Sequence, residues 1–185
     1  KVDADPDRPV SHGLNSRLSR DENGEIYEEV FSARGRYASS IQEIIGHLEK
    51  AKDVAENDDQ AAALKLLIEY YETGDLKKWD DYNIAWVKTT GGDVDYINGF
   101  VEVYNDPMGY RGSYETVVQV KDFDASERMA VVADNVQWFE DHSPIMDDHK
   151  KESVVGVSYK IVTVAGEAGD ATPATPIGVN LPNAN

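Results

Sequence analysis

Between residues 40 and 88 the apolar positions recur every three or four residues. Ile41, Ile44, Ile45, Leu48 and Ala55 make one stripe, Leu64, Leu67, Ile68 and Tyr71 a second, and Leu76, Trp79, Tyr82 and Trp86 a third. That spacing puts each set on one face of a helix. Ser40 followed by Glu43 is a capping-box pattern, Asp58 or Asp59 can cap the second helix, Thr73-Gly74 ends it, and Asp75 can cap the third. The short connections predict antiparallel neighbours, and so a helical bundle. Residues 1–25 are polar and read as an extended arm or a loop.

After Gly91-Gly92 the period changes. Residues 94–104 are rich in β-formers, Asn105-Asp106-Pro107-Met108-Gly109 is turn chemistry, and residues 113–121 alternate. Tyr114, Thr116, Val118 and Val120 fall on one face of that strand, and Glu115, Gln119 and Lys121 on the other. Asp124 with Glu127 opens another helix, carrying Met129, Val132, Ala133 and Val136 and ending near Ser143-Pro144. Residues 153–165 read as a strand, 166–176 as a loop and 177–181 as one more short strand. This order predicts an α+β fold, with an N-terminal helical bundle packed on a small antiparallel or mixed β-barrel or sheet and a helical insertion.

Composition narrows the function. Among 185 residues, 35 acids face 18 Lys and Arg, for a net charge of −17. Such a surface repels nucleic-acid phosphates and anionic lipid, so neither is an expected partner. No window approaches 18 apolar residues, so no membrane span is predicted. The chain has no Cys, which removes thiol nucleophiles and thiolate metal ligands. None of the four His sits in an H-E-x-x-H, and no two lie three or four residues apart. Asp141, His142, Asp147, Asp148 and His149 form the densest cluster of candidate metal ligands, of types that suit zinc or manganese.

Asp93, Asp95, Glu102, Asp106 and Glu115 lie on or beside strands, although acids crowd any surface this charged. Tyr96, Phe100, Tyr104, Tyr110 and Tyr114 gather around the turn, either as cross-strand packing or as an aromatic wall facing a ligand. Asn180 and Asn183 flank Leu181-Pro182. Proline in a strand belongs at a sheet edge, and an edge can pair with an extended peptide.

Residues 96–115, YINGFVEVYNDPMGYRGSYE, resemble the dipeptidyl peptidase III segment G-F-I-E-x-Y-x-D-P-x-G-x-R-G-x-[FY]-E. Gly178-Val-Asn-Leu-Pro-Asn183 resembles the family's G-I-N-I-P-N, and residues 26–92 are similar to its bacterial, Bacteroides-like branch. The resemblance implies a zinc metallopeptidase that removes N-terminal dipeptides from short peptides, built as two lobes around a cleft. It implies a lower-lobe barrel whose edge strand holds the peptide, with substrate-binding roles for Asp95, Tyr96, Asn180 and Asn183. Asp95 best matches the acid that holds the free ammonium. The family's E-x-Y-I-G-F reads Asp95-Tyr-Ile-Asn-Gly-Phe100 here, so Ile97 stands where an ungapped match puts the substrate-contacting Tyr. Either the strand bulges and Tyr96 takes that role, or the role is lost.

The sequence contains no H-E-x-x-G-H, the family's zinc motif. Zinc is therefore expected in a full-length parent and no metal or catalytic residue in this chain. The chain is expected to be a piece of something larger, partnered by a missing catalytic lobe and a short peptide substrate. Expected parts are residues 1–92 as arm plus helices, 93–123 and 153–185 as the lower-lobe β part, and 124–152 as a helical excursion toward the other lobe. The compartment is expected to be cytoplasmic or periplasmic. The alternative is a stand-alone acidic peptide-binding module without catalysis.

Overall fold

The computed structural model describes residues 13–154 and 160–172. Its first element corrects the extended arm. β1 (Ser16–Arg20) and β2 (Ile26–Val30) pair as an antiparallel hairpin, with Ser16 opposite Val30. Local hydrogen bonds hold it in place of an apolar alternation. The Asp21 carboxylate accepts the N–H groups of Asn23 and Glu25, both at 2.9 Å, and the Arg17 guanidinium lies 2.6 Å from Glu29 across the strands.

Three helices follow: α1 (Ala38–Asp53), α2 (Asp58–Thr73) and α3 (Leu76–Trp86). Two caps differ from expectation. α1 starts before Ser40, which therefore caps nothing, and Asn57 caps α2 by accepting the Gln60 N–H at 2.9 Å. Asp58 and Asp59 instead occupy the first turn, where their charge complements the helix dipole. Gly74 ends α2 at φ 74°, and a Cβ there would meet Val30 Cγ1 at 2.3 Å, so the αL end is also what lets the hairpin approach. α2 is the centre of the core. Its Ala63, Leu64, Leu67, Ile68, Tyr70 and Tyr71 are buried with Ile41 and Leu48 of α1, Trp79 and Tyr82 of α3, Phe31 and Phe100.

β3 (Val94–Glu102), β4 (Ser113–Lys121) and β5 (Val162–Gly169) form an antiparallel sheet in the order β3-β4-β5. Among the described residues it is an open sheet, not a closed barrel. β5 runs through Gly166–Gly169, which the sequence pattern placed in a loop. The β4 ladder explains the difference: Val118 pairs with Gly166 and Glu115 with Gly169, with a register shift between Val118 and Gln119. Backbone pairing holds a segment whose side chains would not mark it as a strand. The expected strand at 177–181 lies outside the described residues.

α4 (Phe123–Asp134) begins one residue before Asp124 because Asp122 accepts the Ala125 N–H at 2.9 Å and caps it. α5 (Val136–Asp141) follows, and the two helices bury only Ser126.

Candidate functional site

The β3–β4 ribbon runs from a covered end to an open one. Phe100 opposite Tyr114, Asn98 opposite Thr116, Tyr96 opposite Val118 and Val94 opposite Val120 share one face. At the covered end the Phe100 ring lies 5.4 Å from Phe31 and 5.6 Å from Tyr114. Asn98 comes next. Its carbonyl accepts the Tyr71 hydroxyl at 2.5 Å, while its amide donates to Tyr114 Oη at 3.2 Å and Thr116 Oγ1 at 3.1 Å. A half-buried amide with both ends engaged holds the sheet against α2.

Beyond Asn98 the sheet and α1 diverge around a cleft of about 580 Å³. Ile44, Leu48 and Ala51 of α1, Leu64 of α2, and Val94, Tyr96 and Val118 supply its apolar walls; Ser40, Glu43 and His47 also line it. Glu56 of the α1–α2 connection and Gln60 of the first turn of α2 clamp the start of β3. The Glu56 carboxylate accepts the N–H groups of Asp93 and Val94 at 3.0 Å, and the Gln60 amide donates to the Val94 carbonyl at 3.1 Å. A carboxylate collecting several N–H donors is a strong, directional anchor.

Asp95 is exposed, and its Oδ1 accepts the Trp86 indole N–H at 3.0 Å and the Tyr96 N–H at 2.8 Å. Pairing is unbroken from Val94 to Phe100, and the register shifts only between Phe100 and Glu102. There is thus no bulge at Tyr96. Tyr96 lines the cleft, and Ile97, next along the strand, is buried on the opposite face. The Tyr96 hydroxyl is buried without a hydrogen-bond partner among the described residues. Burial, then the Asp95 charge, raises its pKa. Alternation along β3 also puts Asp95 and Tyr96 on opposite faces, so they do not share one wall. Asn180 and Asn183 lie outside the described residues.

The other candidates separate. Of the five aromatics, Phe100 is buried, whereas Tyr104 and Tyr110 are exposed. The Tyr104 hydroxyl donates to Asp170, which pushes its pKa up to about 12. Asp106 organises the β3–β4 connection by accepting the N–H groups of Tyr110 and Arg111 at 2.9 Å, which hold its pKa down. Glu115 is buried, flanked in register by Gly99 and Gly169. Burial, then the Glu102 and Asp170 charges, raises its pKa. In the 141–149 cluster, Asp147 pairs with Lys150 at 2.7 Å and the His142 ring stacks on Trp138 at 4.2 Å.

No three His, Asp or Glu side chains among the described residues gather to hold a metal ion. None of the described helices is long and apolar enough to cross a membrane. Pattern reading missed Glu56, Gln60 and Asn98. A usable signal existed for Asn98, a lone amide set between Ile97 and the Gly99-Phe100 pair.

The family model described as Peptidase family M49 matches residues 11–185. The chain belongs to peptidase family M49. It is 29% identical over 150 residues to dipeptidyl peptidase 3 of Rattus norvegicus, covering 81% of this chain and 20% of that protein. Against dipeptidyl peptidase 3 of Mus musculus it is 28% identical over 177 residues, covering 96% of this chain and 23% of that protein. The fold is similar to that of DPP III from Caldithrix abyssi at TM-score 0.68 and 20% identity, covering 86% of this chain and 30% of that one. The chain thus spans about a fifth of the length of the family M49 relatives it matches.

Proposed function

We propose that this chain is the substrate-binding, lower-lobe part of a zinc-dependent dipeptidyl peptidase that removes N-terminal dipeptides from short peptides. The observation that carries the reading is the family M49 match across residues 11–185, with relatives named dipeptidyl peptidase 3. The sequence carries no H-E-x-x-G-H, and in this reading the metal ligands lie elsewhere in the longer polypeptide and the chain alone is inactive. Residues 93–123 and 153–185 make up the lower-lobe β part, and 124–152 reach toward the other lobe. The low burial of α4 and α5 supports that excursion, with Trp138, Phe139 and Met146 at least half exposed.

Asp95 is the ammonium anchor in this reading. Its carboxylate is exposed and is oriented through one oxygen by Trp86 and the Tyr96 amide. An ammonium offers three donors, and the amide oxygens of Asn180 and Asn183 are its other proposed acceptors. Tyr96 contributes the cleft-facing side of the same strand. The expected result of Asp95→Asn or Asn180→Ala in the longer polypeptide is a loss of about ten- to a hundredfold in kcat/KM for free-amine peptides. Zinc content should not change, and an N-acetylated peptide should show little further loss. Undiminished kcat/KM on free-amine peptides in Asp95→Asn would refute the anchor.

A further inference from the structure

The alternation of β3 and β4 marks Val94, Val118 and Val120 as members of an apolar face, yet they stand 37%, 38% and 37% exposed. They sit at the open end of the ribbon, and Val94 and Val118 line the cleft with Ile44 and Leu48. We infer that this cleft between α1 and the sheet is the seat of one further helix of the same polypeptide, laid in by its apolar face. The inference rests on the reading of the chain as part of a longer peptidase.

The type of occupant follows from hydrogen bonding. α1 satisfies its backbone within the helix. At the open end of β3, the Val94 N–H and carbonyl are already taken by Glu56 and Gln60. A docking strand or loop would bring unpaired amides and carbonyls against walls that offer them no backbone partners, and burying such groups is costly. A helix arrives with its backbone bonds closed and presents side chains at a spacing suited to a groove. The source follows from length and charge. The curated relatives are about five times as long as the matched stretch, so most of a family polypeptide lies outside it. A second copy of the chain is disfavoured by its own charge of −17.

Because the chain has no Cys, single cysteines report cleanly. Ile44→Cys and Val118→Cys are made one at a time, in the 185-residue chain and in the longer polypeptide. Maleimide labelling of each site is followed by peptide mass spectrometry. Both sites should label at least about tenfold more slowly in the longer polypeptide, where labelling requires local opening. A benzophenone at Val118 in the longer polypeptide should cross-link outside residues 1–185, to positions three or four apart. Equal labelling rates, cross-links to positions two apart, or protection in the 185-residue chain that grows with its concentration would each overturn the inference. Peptidase activity of the same longer preparation separates the two ideas. An active enzyme with a freely labelled cleft refutes the helix seat alone, and a protected cleft in an inactive protein refutes the peptidase reading alone.

Discussion

The two ends of the β3–β4 ribbon share strands, pairing and hydrophobicity, but not their surroundings. At the Phe100–Tyr114 end, rings from the hairpin and an amide network to α2 close over the sheet, and the Trp79 ring occupies the space above Gly99. At the Val94–Val120 end the Glu56 and Gln60 side chains bond to the strand's backbone and the Trp86 indole to Asp95, while Val94, Val118 and Val120 stay exposed. Burial of a strand is therefore not a property of its own alternation. It depends on which distant residues arrive, and here Phe31 and Tyr71 arrive at the Phe100–Tyr114 end.

The sharpest break of this contrast is Gly99→Val against Val118→Thr. A Cβ at residue 99 would lie 2.5 Å from Trp79 Cη2, and Trp79 is itself buried. Gly99→Val is expected to destabilise the chain by about 3 kcal/mol. Val118→Thr at the open end should stay within about 0.5 kcal/mol. Urea unfolding of both variants, with the m-value held as a check, reads the difference. Equal midpoints would mean that the ends are not distinct.

Tyr71→Phe is the next largest. It removes the hydroxyl that Asn98 accepts at 2.5 Å and leaves a part-buried carbonyl short of a donor. A loss of about 1–2 kcal/mol is expected. Adding Asn98→Ala to Tyr71→Phe should then cost less than the two single changes summed, because they share one network. Strict additivity in the urea midpoints would show that the network does not act as a unit.

The smallest effect is a pH slope from Glu115. Its folded pKa is raised, so its contribution to stability is complete below the unfolded value of a Glu and is lost as pH rises through the folded value. Stability should therefore fall over that window on going from acid toward neutral pH. Glu115→Gln should flatten this component, leaving the variant relatively more stable near pH 7. Urea midpoints for the two proteins across pH 4.5–7 test this, and parallel curves would place the titration elsewhere.

The helices were legible because stripes such as Leu64, Leu67, Ile68 and Tyr71 repeat long enough to exclude a strand. β3 and β4 were legible from their β-formers and the Pro107 turn. The first hairpin was not, because Arg17–Glu29 and the Asp21 turn hold it with polar contacts that resemble a loop in sequence. The first half of β5 was legible within the expected strand at 153–165, but Gly166–Gly169 was hidden by its glycines, since ladder pairing to β4 leaves no side-chain mark. Candidate site residues were legible only as types. Asp95 and Tyr96 stand next to each other in sequence, and strand geometry alone sends them apart. The open cleft could not be read at all, because the pattern of Val118 and Val120 is the pattern of a covered face.

The indole bond from Trp86 to Asp95 has an optical consequence. An indole's emission depends on the polarity and hydrogen bonding around its ring, and Trp86 Nε1 rests directly on that carboxylate. The chain has three Trp: Trp79 is buried and Trp138 lies on α5, far along the sequence from β3. Trp86 is therefore a built-in fluorophore for whatever next engages Asp95, and its colour can be followed without attaching a dye.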